Sequence, residues 1–345
     1  MGSADIGSAD RAAKGQDAAA DGTMRAVVQE AYGSADVLRP TRVARPTMAD
    51  KDILIRVHAA GLGRDTWHLM TGRPHLLRLA FGIRRPRVRV AGRQLAGTVV
   101  AVGPAVTGLS AGDEVFGIGT GTFAEYAVAR EGKLARKPAS ISFEQAASVP
   151  VSGLTALQAL RDAGRIQAGQ KVLITGASGG VGSYAVQLAK AFGAHVTGVC
   201  STSKLDLVRS LGADQVIDYT RDDFADGTQH YDLIIDLAGR PALSRLRRAL
   251  SPTGTAVFAG GEDGDSWTGG MGRQLRGVAL SPFVRQRLVN CLCQERASDL
   301  ERLAEYLEAG QVTPAVDRAY PLDQLPEAMR YFEAGKARGK IAITV

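Results

Sequence analysis

The chain is short of cysteine, short of aromatic side chains and without a long apolar run, and each shortage removes a class of function. Its three cysteines, Cys200, Cys291 and Cys293, show no C-x-x-C spacing. They support neither a disulfide framework nor a zinc knuckle. Cys291 and Cys293 lie in a short apolar stretch and read as small buried hydrophobes. No apolar run reaches the roughly 18–20 residues that cross a bilayer. Residues 1–23 lack the apolar centre of a signal peptide. They are rich in Ala, Gly, Asp and Ser, repeat Gly-Ser-Ala-Asp at 2–5 and 7–10, and read as a disordered extension. A cytoplasmic location without membrane association is therefore expected. The net charge is +7, with a local excess at Arg78, Arg84, Arg85, Arg87 and Arg89. That stretch has a single aromatic, Phe81, no repeated aromatic interleaving and no nucleic-acid motif, so no nucleic-acid partner is expected. It reads as a solvated loop, or as a region attracting a polyanionic cofactor or acidic substrate.

What is present is a change of pattern along a chain long enough for two cores. Apolar runs at Met24–Val28, Ile53–Ala60, Leu95–Val102 and Phe123–Val128, separated by Gly, Pro and Asp clusters, predict a compact β-rich barrel. From Phe143 to Leu160 the spacing turns helical, with a break around Pro150 and Gly153. A strand at Lys171–Thr175 then runs into Gly176-Ala177-Ser178-Gly179-Gly180-Val181-Gly182, and a helix leaves that loop with Val181, Ala185, Leu188 and Phe192 on one stripe. Strands at His195–Cys200, Gln215–Tyr219, Tyr231–Leu237 and Thr255–Ala259 alternate with helices at Leu205–Leu211 and Ala242–Leu250. This alternation predicts an α/β fold with a doubly wound parallel sheet. Helices at Asp299–Ala309 and Pro326–Glu333 precede the apolar strand Ile341–Val345, which needs a sheet to join. The N-terminal barrel is its expected host. The organisation is thus read as an extension (1–23), a barrel from 24–145 and 289–345, and an inserted dinucleotide-binding unit, 146–288.

Strand, glycine loop and helix in that order make a pyrophosphate site. The first glycine permits the tight turn, the middle ones let the backbone approach the phosphates, and the last lets the helix pack on the strand. The phosphates then meet unpaired N–H groups and the positive end of the helix dipole. About 20 residues on, an acid would hold the ribose 2′-hydroxyl of NADH. Here the strand ends Cys200-Ser201-Thr202-Ser203-Lys204, with no acid before Asp206. Hydroxyls and a lysine accept a 2′-phosphate, so NADPH is the expected cofactor.

The glycine loop, together with Pro150-Val151-Ser152-Gly153-Leu154-Thr155-Ala156, Ala96-Gly97-Thr98-Val99-Val100-Ala101-Val102-Gly103, Gly112-Asp113-Glu114-Val115-Phe116-Gly117, Phe123-Ala124-Glu125-Tyr126 and Gly339-Lys340-Ile341, resembles the medium-chain dehydrogenase/reductase superfamily. Its nearest branch is the zinc-independent quinone oxidoreductases, the zeta-crystallin-like proteins. The resemblance runs from Met24 to Val345. It implies a GroES-like barrel built from both chain ends, a Rossmann sheet between them, an active site in the cleft and a homodimer. It also implies that Thr155 lies near the nicotinamide and that Ser178 to Val181 meet the pyrophosphate. Ser201, Lys204 and Tyr219 would surround the 2′-phosphate, with Gly176, Gly182, Ala238, Gly260 and Lys340 also touching the cofactor.

Zinc alcohol dehydrogenases of this superfamily use an early Cys, a Gly-His-Glu motif and four closely spaced structural Cys. This chain has Gly61-Leu62-Gly63-Arg64 and Gly92-Arg93-Gln94 at the first two places and no Cys between 100 and 130. Its five histidines form no metal spacing, so no metal is expected. The chain also departs from the quinone oxidoreductase pattern: Gly63, Thr66 and His68 stand where Asn, Asp and Tyr are usual. The expected reaction is hydride delivery from NADPH to a small-molecule quinone or α,β-unsaturated carbonyl. His68 is the candidate proton donor, Arg64 or Thr66 the candidate donor to the carbonyl oxygen, and Trp67 either a wall of the pocket or a core residue. Two alternatives stay open at this point: a carbonyl or alcohol dehydrogenase on the same fold, and a crystallin-like binding protein that keeps NADPH affinity.

Overall fold

The computed structural model describes residues 22–261 and 266–345. The expected N-terminal extension falls almost wholly outside the described residues, and Thr23 already belongs to the first strand. The chain opens with β1 (Thr23–Gln29) and β2 (Leu38–Ala44), an antiparallel pair. β3 (Asp52–Leu62), the helices α1 (Arg64–Thr71) and α2 (Arg78–Phe81), and the strands β4 (Gln94–Val102), β5 (Glu114–Thr120) and β6 (Tyr126–Arg136) follow. Two helices, α3 (Phe143–Ser148) and α4 (Pro150–Gln158), lead into the parallel unit. That unit runs β7 (Lys171–Thr175), α5 (Gly180–Ala191), β8 (His195–Cys200), α6 (Leu205–Ser210), β9 (Gln215–Asp218), β10 (Tyr231–Asp236), α7 (Leu243–Ala249), β11 (Leu250–Phe258), α8 (Met271–Leu280) and β12 (Arg287–Asn290). The chain closes with α9 (Ala297–Glu308), β13 (Val316–Pro321), α10 (Leu325–Glu333) and β14 (Lys340–Thr344).

The strands form two large sheets. The first has the order β13-β14-β3-β4-β5-β6 and curls shut through a β3–β6 pairing. The last strand, β14, lies antiparallel to β3, with Ile341 opposite Leu62 and Ala342 opposite Gly61. The second sheet has the order β12-β11-β10-β7-β8-β9 with every pairing parallel. Connections run outward in both directions from the β7–β10 boundary, so the crevice at the C-terminal ends of those two strands is the place where such sheets bind ligands.

Some sequence expectations shift. The break near Gly153 does not occur: α3 ends before Pro150, which opens α4, and Gly153 sits inside α4. A Cβ there would come within 3.0 Å of Leu303, so the glycine serves the approach of α9. Because α4 is buried almost all round, it shows no polar stripe from which a boundary could be read. Placing the segment boundary at 145/146 cuts α3, and placing it at 288/289 cuts β12, which pairs with β11 through Asn290.

One ionic network ties β7, β10 and α8 together at the crevice. The Asp236 carboxylate is wholly buried and pairs with Arg273 of α8. It also accepts a 2.7 Å hydrogen bond from the Thr175 hydroxyl, which in turn accepts from the Leu237 backbone N–H. Removing the cation alone strands a buried charge. Arg273→Leu is therefore expected to cost about 3–5 kcal/mol in urea unfolding; a loss below about 1 kcal/mol would show that Asp236 is not left as a stranded buried charge.

Candidate active site

A cavity of about 700 Å³ lies between the two sheets. Its floor is the turn after β7. Gly176 has φ +69, in the left-handed region that disfavours side chains. A Cβ on Gly182 would sit 2.2 Å from the Gly176 carbonyl oxygen, so only glycine lets α5 start this close to the strand. The N-cap of α5 is Gly179, with no side-chain cap, and the first-turn N–H groups face the cavity without a competing acceptor. These are the features a pyrophosphate requires, and the residues fit a dinucleotide.

The structure brings together most of the residues expected at the site. Gly176, Ser178, Gly179, Gly180, Val181, Gly182, Ser201, Lys204, Tyr219, Ala238, Gly260 and Lys340 all line the cavity, as do Arg64 and His68. Two do not. Thr66 is buried in the barrel core, its hydroxyl without a partner, and cannot reach a substrate; helix periodicity turns position 66 inward when Arg64 and His68 turn out. Thr155 donates to the Val151 carbonyl at 2.7 Å, and Ser152, one turn earlier on α4, lines the cavity in its stead. Trp67 donates from its indole N–H to Glu333 and packs against the barrel core, so it is a packing residue and not a wall of the pocket.

The far end of the cavity carries hydroxyls and an ammonium, and no carboxylate lines it. Ser201, Ser203, Lys204 and Tyr219 surround it, and Tyr219 is half exposed, which excludes a packed role in the core. The nearest acid, Asp218, turns its carboxylate onto the hydroxyls of Thr202 and Thr220 and does not line the cavity; those bonds, the one from Thr202 first, hold its carboxyl below the usual range. The Lys204 ammonium donates to the carbonyls of Gly335 and Ala337 at 3.2 and 2.8 Å. It is therefore held in place by the C-terminal segment rather than waving in solvent. Burial pushes its pKa down, and Asp317 offsets part of this.

At the inner end, four polar side chains form a cluster that sequence reasoning recognised only in part. Lys340, buried at 3% exposure, donates to Ser152 at 3.2 Å. Burial pushes its ammonium down to about 8, against the pull of Asp65. Gln94, wholly buried, donates to Asp65 at 3.1 Å and accepts from the Val151 N–H at 3.2 Å. A Cβ at Gly63 would already lie 2.8 Å from Asp65 and 3.2 Å from Lys340, so the residue replacing the family's Asn leaves room for this cluster. His68 donates from Nδ1 to the Arg73 carbonyl at 2.6 Å, since a carbonyl only accepts, which directs the proton of the neutral ring to Nδ1. Arg64 stacks over Trp67 and Phe332 at 5.0 and 5.1 Å.

The positions that match the early Cys and the His of the Gly-His-Glu motif in zinc alcohol dehydrogenases carry Gly63 and Arg93, and Arg93 is a cation paired with Glu295. No three His, Cys, Asp or Glu side chains converge among the described residues. This donor set does not fit a tetrahedral N/S zinc site.

Residues 49–139 match the family model of the alcohol dehydrogenase GroES-like domain, and residues 211–343 match that of the zinc-binding dehydrogenases. The chain is 33% identical to the 2-methylene-furan-3-one reductase of Solanum lycopersicum over 93% of its own length and 79% of the relative's. It is 32% identical to the chloroplastic NADPH-dependent alkenal/one oxidoreductase of Arabidopsis thaliana, covering 95% of this chain and 81% of that one. The quinone oxidoreductase structure from Coxiella burnetii superposes with a TM-score of 0.82 at 28% identity, covering 94% and 99% of the two chains. The chain belongs to the medium-chain dehydrogenase/reductase superfamily, in its quinone oxidoreductase branch. It is an NAD(P)H-dependent oxidoreductase with a GroES-like domain and a Rossmann sheet.

Gly180 tests the cofactor cradle of this oxidoreductase. A Cβ there meets the Lys340 side chain at 3.1 Å and Ser152 at 3.4 Å. Gly180→Val is expected to raise the KM for the nicotinamide cofactor at least tenfold while the thermal midpoint moves little, measured by steady-state kinetics beside thermal unfolding.

Proposed function

We propose that this oxidoreductase uses NADPH to reduce the conjugated double bond of a quinone or α,β-unsaturated carbonyl compound. The observation that carries the reading is the cavity itself: an acid-free anion pocket at one end, the glycine turn in the middle, and at the other a polar cluster whose one carboxylate, Asp65, has no second or third metal donor beside it among the described residues. The names of the tomato and Arabidopsis relatives support the same substrate class. When bound, the nicotinamide supplies the hydride. With no cluster of residues suited to a Lewis-acid metal among the described residues, the acceptor is activated by its own conjugation, which disfavours a saturated carbonyl.

The chain's residues supply binding and charge. Backbone N–H groups of the turn after Gly176 hold the pyrophosphate, and Ser201, Ser203, Lys204 and Tyr219 hold the 2′-phosphate. Lys340, fixed by Ser152, adds a buried positive charge beside the turn. Arg64, stacked against Trp67 and Phe332 at the cavity wall, is the cation that would stabilise the developing oxyanion. His68, its Nδ1–H held by the Arg73 carbonyl, takes up a second proton at Nε2 as an imidazolium and returns that proton to the substrate. Edge strand β12, flanked by exposed Phe283 and Leu292, offers a second copy a sheet edge to pair with, in keeping with a homodimer.

The direct test is turnover with but-3-en-2-one, a quinone and butan-2-one, each with NADPH and with NADH. Reduction of the enone and quinone but not the saturated ketone is expected, with NADPH preferred more than tenfold. Ser201→Glu places a carboxylate against the 2′-phosphate and is expected to abolish that preference. Turnover of the ketone alone overturns the substrate reading, and preference for NADH overturns the cofactor reading.

Lys340 gives a pH dependence. An amine is charged below its pKa, and the buried ammonium carries its charge only below about pH 8. The NADPH Kd of the wild type is expected to rise as pH passes from 7 to 9, whereas Lys340→Met starts weaker and stays flat over that range. Isothermal titration across this range checks both.

A further inference from the structure

From Thr66 to Gly112 the chain has no Asp, Glu or Lys, but seven arginines: Arg73, Arg78, Arg84, Arg85, Arg87, Arg89 and Arg93. Three are engaged within the molecule. Arg78 stacks on Tyr32, Arg89 pairs with Glu30 and Arg93 pairs with Glu295. Arg84, Arg85 and Arg87 are exposed and have no carboxylate partner among the described residues. Interleaved with them are Leu76, Leu79, Phe81, Ile83 and Val88, exposed by 48, 64, 38, 68 and 51%.

This is a built surface and not a loose loop. Tyr32 donates its hydroxyl to the Gly82 carbonyl at 2.6 Å, Gln29 donates to the Arg89 carbonyl at 2.8 Å, and Arg78 donates to Gly72. The apolar side chains therefore stay exposed although their backbone is fixed. The other sheet's unit adds to the same patch: Leu76 N–H donates to the Trp267 carbonyl at 3.1 Å, the His75 and Trp267 rings meet edge-on at 5.2 Å, and Trp267 is 68% exposed. The patch begins at the rim of the cavity, where His68 bonds to Arg73.

Exposed apolar groups alone would fit many partners, and the charge narrows the choice. A second copy on this surface would bring unpaired arginines against unpaired arginines. Nucleic acid would be met mostly by Leu76, Leu79, Ile83 and Val88, with only Phe81 and Trp267 able to stack on bases, where it needs a series of aromatics beside the cations. A bilayer with anionic headgroups satisfies both halves: guanidinium groups meet phosphates, and Leu, Ile, Phe and Trp enter the boundary of the acyl region. No helix among the described residues is long and apolar enough to cross a membrane, and contact through a surface needs none.

We propose that residues 76–89, together with Trp267, form a peripheral docking surface for an anionic lipid bilayer and turn the mouth of the cavity toward it. The surface stands on its own residues and does not depend on the identity of the substrate. Docked, the cavity would open beside the phase in which long-chain quinones and unsaturated lipid carbonyls dissolve.

Sedimentation of the full-length protein with vesicles tests this at about physiological salt, using phosphatidylcholine alone and phosphatidylcholine with phosphatidylglycerol. Binding to the mixed vesicles with little binding to the neutral ones is expected, together with a blue shift of tryptophan emission as Trp267 leaves water. Leu79→Asn with Ile83→Asn is expected to weaken partitioning at least tenfold. Arg84→Ser with Arg85→Ser and Arg87→Ser is expected to remove the dependence on anionic lipid. Both variants alter exposed side chains, so turnover of a water-soluble substrate should be unchanged. Absence of binding to the mixed vesicles, or variants that bind like the wild type, overturns the proposal. So does a change of oligomeric state in the variants, which would assign the surface to a second copy, or RNA binding that displaces the vesicles. Because binding is read without turnover, its failure is separate from any failure of the reductase reading.

Discussion

The ammonium of Lys340 is a charge buried where two sheets meet, and the arrangement around it links the halves of the molecule. It arrives on the last strand, which completes the barrel by pairing with β3. It donates to Ser152 of α4, the helix that packs on α5 of the parallel unit, and it feels Asp65 at the start of α1. A buried amine is costly unless partners or a ligand supply compensating charge. Here the protein offers a hydroxyl and a nearby carboxylate that Gln94 also engages, which is partial compensation. An anionic cofactor supplies the remainder, so the same constraint that joins barrel and sheet also favours ligand in the cleft between them.

The division of labour follows. The parallel sheet provides backbone: a left-handed Gly176, an uncapped α5 and a crevice braced by the Asp236–Arg273 pair. The barrel provides side chains: Arg64 and His68 from α1, Gln94 from β4 and Lys340 from β14. Chemistry that needs one reactive partner from each source belongs in the gap, as for other ligands that bind at domain boundaries.

The legible parts of this design were those written locally. The strands β7 and β8 and the turn between β7 and α5 were readable residue by residue, because alternation and glycine spacing are short-range signals. The terminal strand was placed in the barrel by its apolarity alone. What escaped depends on contacts between distant segments. The helices α1 and α8 were missed; α8 carries Gly272 and Gly277 and has no capping side chain, so propensity argued against it. Thr66 and Trp67 could be assigned to core or cleft only once the facing of α1 was known. Ser152, Gln94 and Asp65 come from three separate elements, and their convergence on Lys340 has no signature in any one stretch. The polar cluster at the inner end of the cavity was thus the least readable part, because folding, not spacing, assembles it.

The central claim is that hydride reaches a carbon conjugated to a carbonyl rather than the carbonyl carbon itself. Deuterium tracing with NADPH labelled at the transferable C4 position tests it most directly. The account predicts that an enone product carries the deuterium on its β-carbon, in a saturated ketone. Deuterium on the carbinol carbon of an allylic alcohol would contradict it.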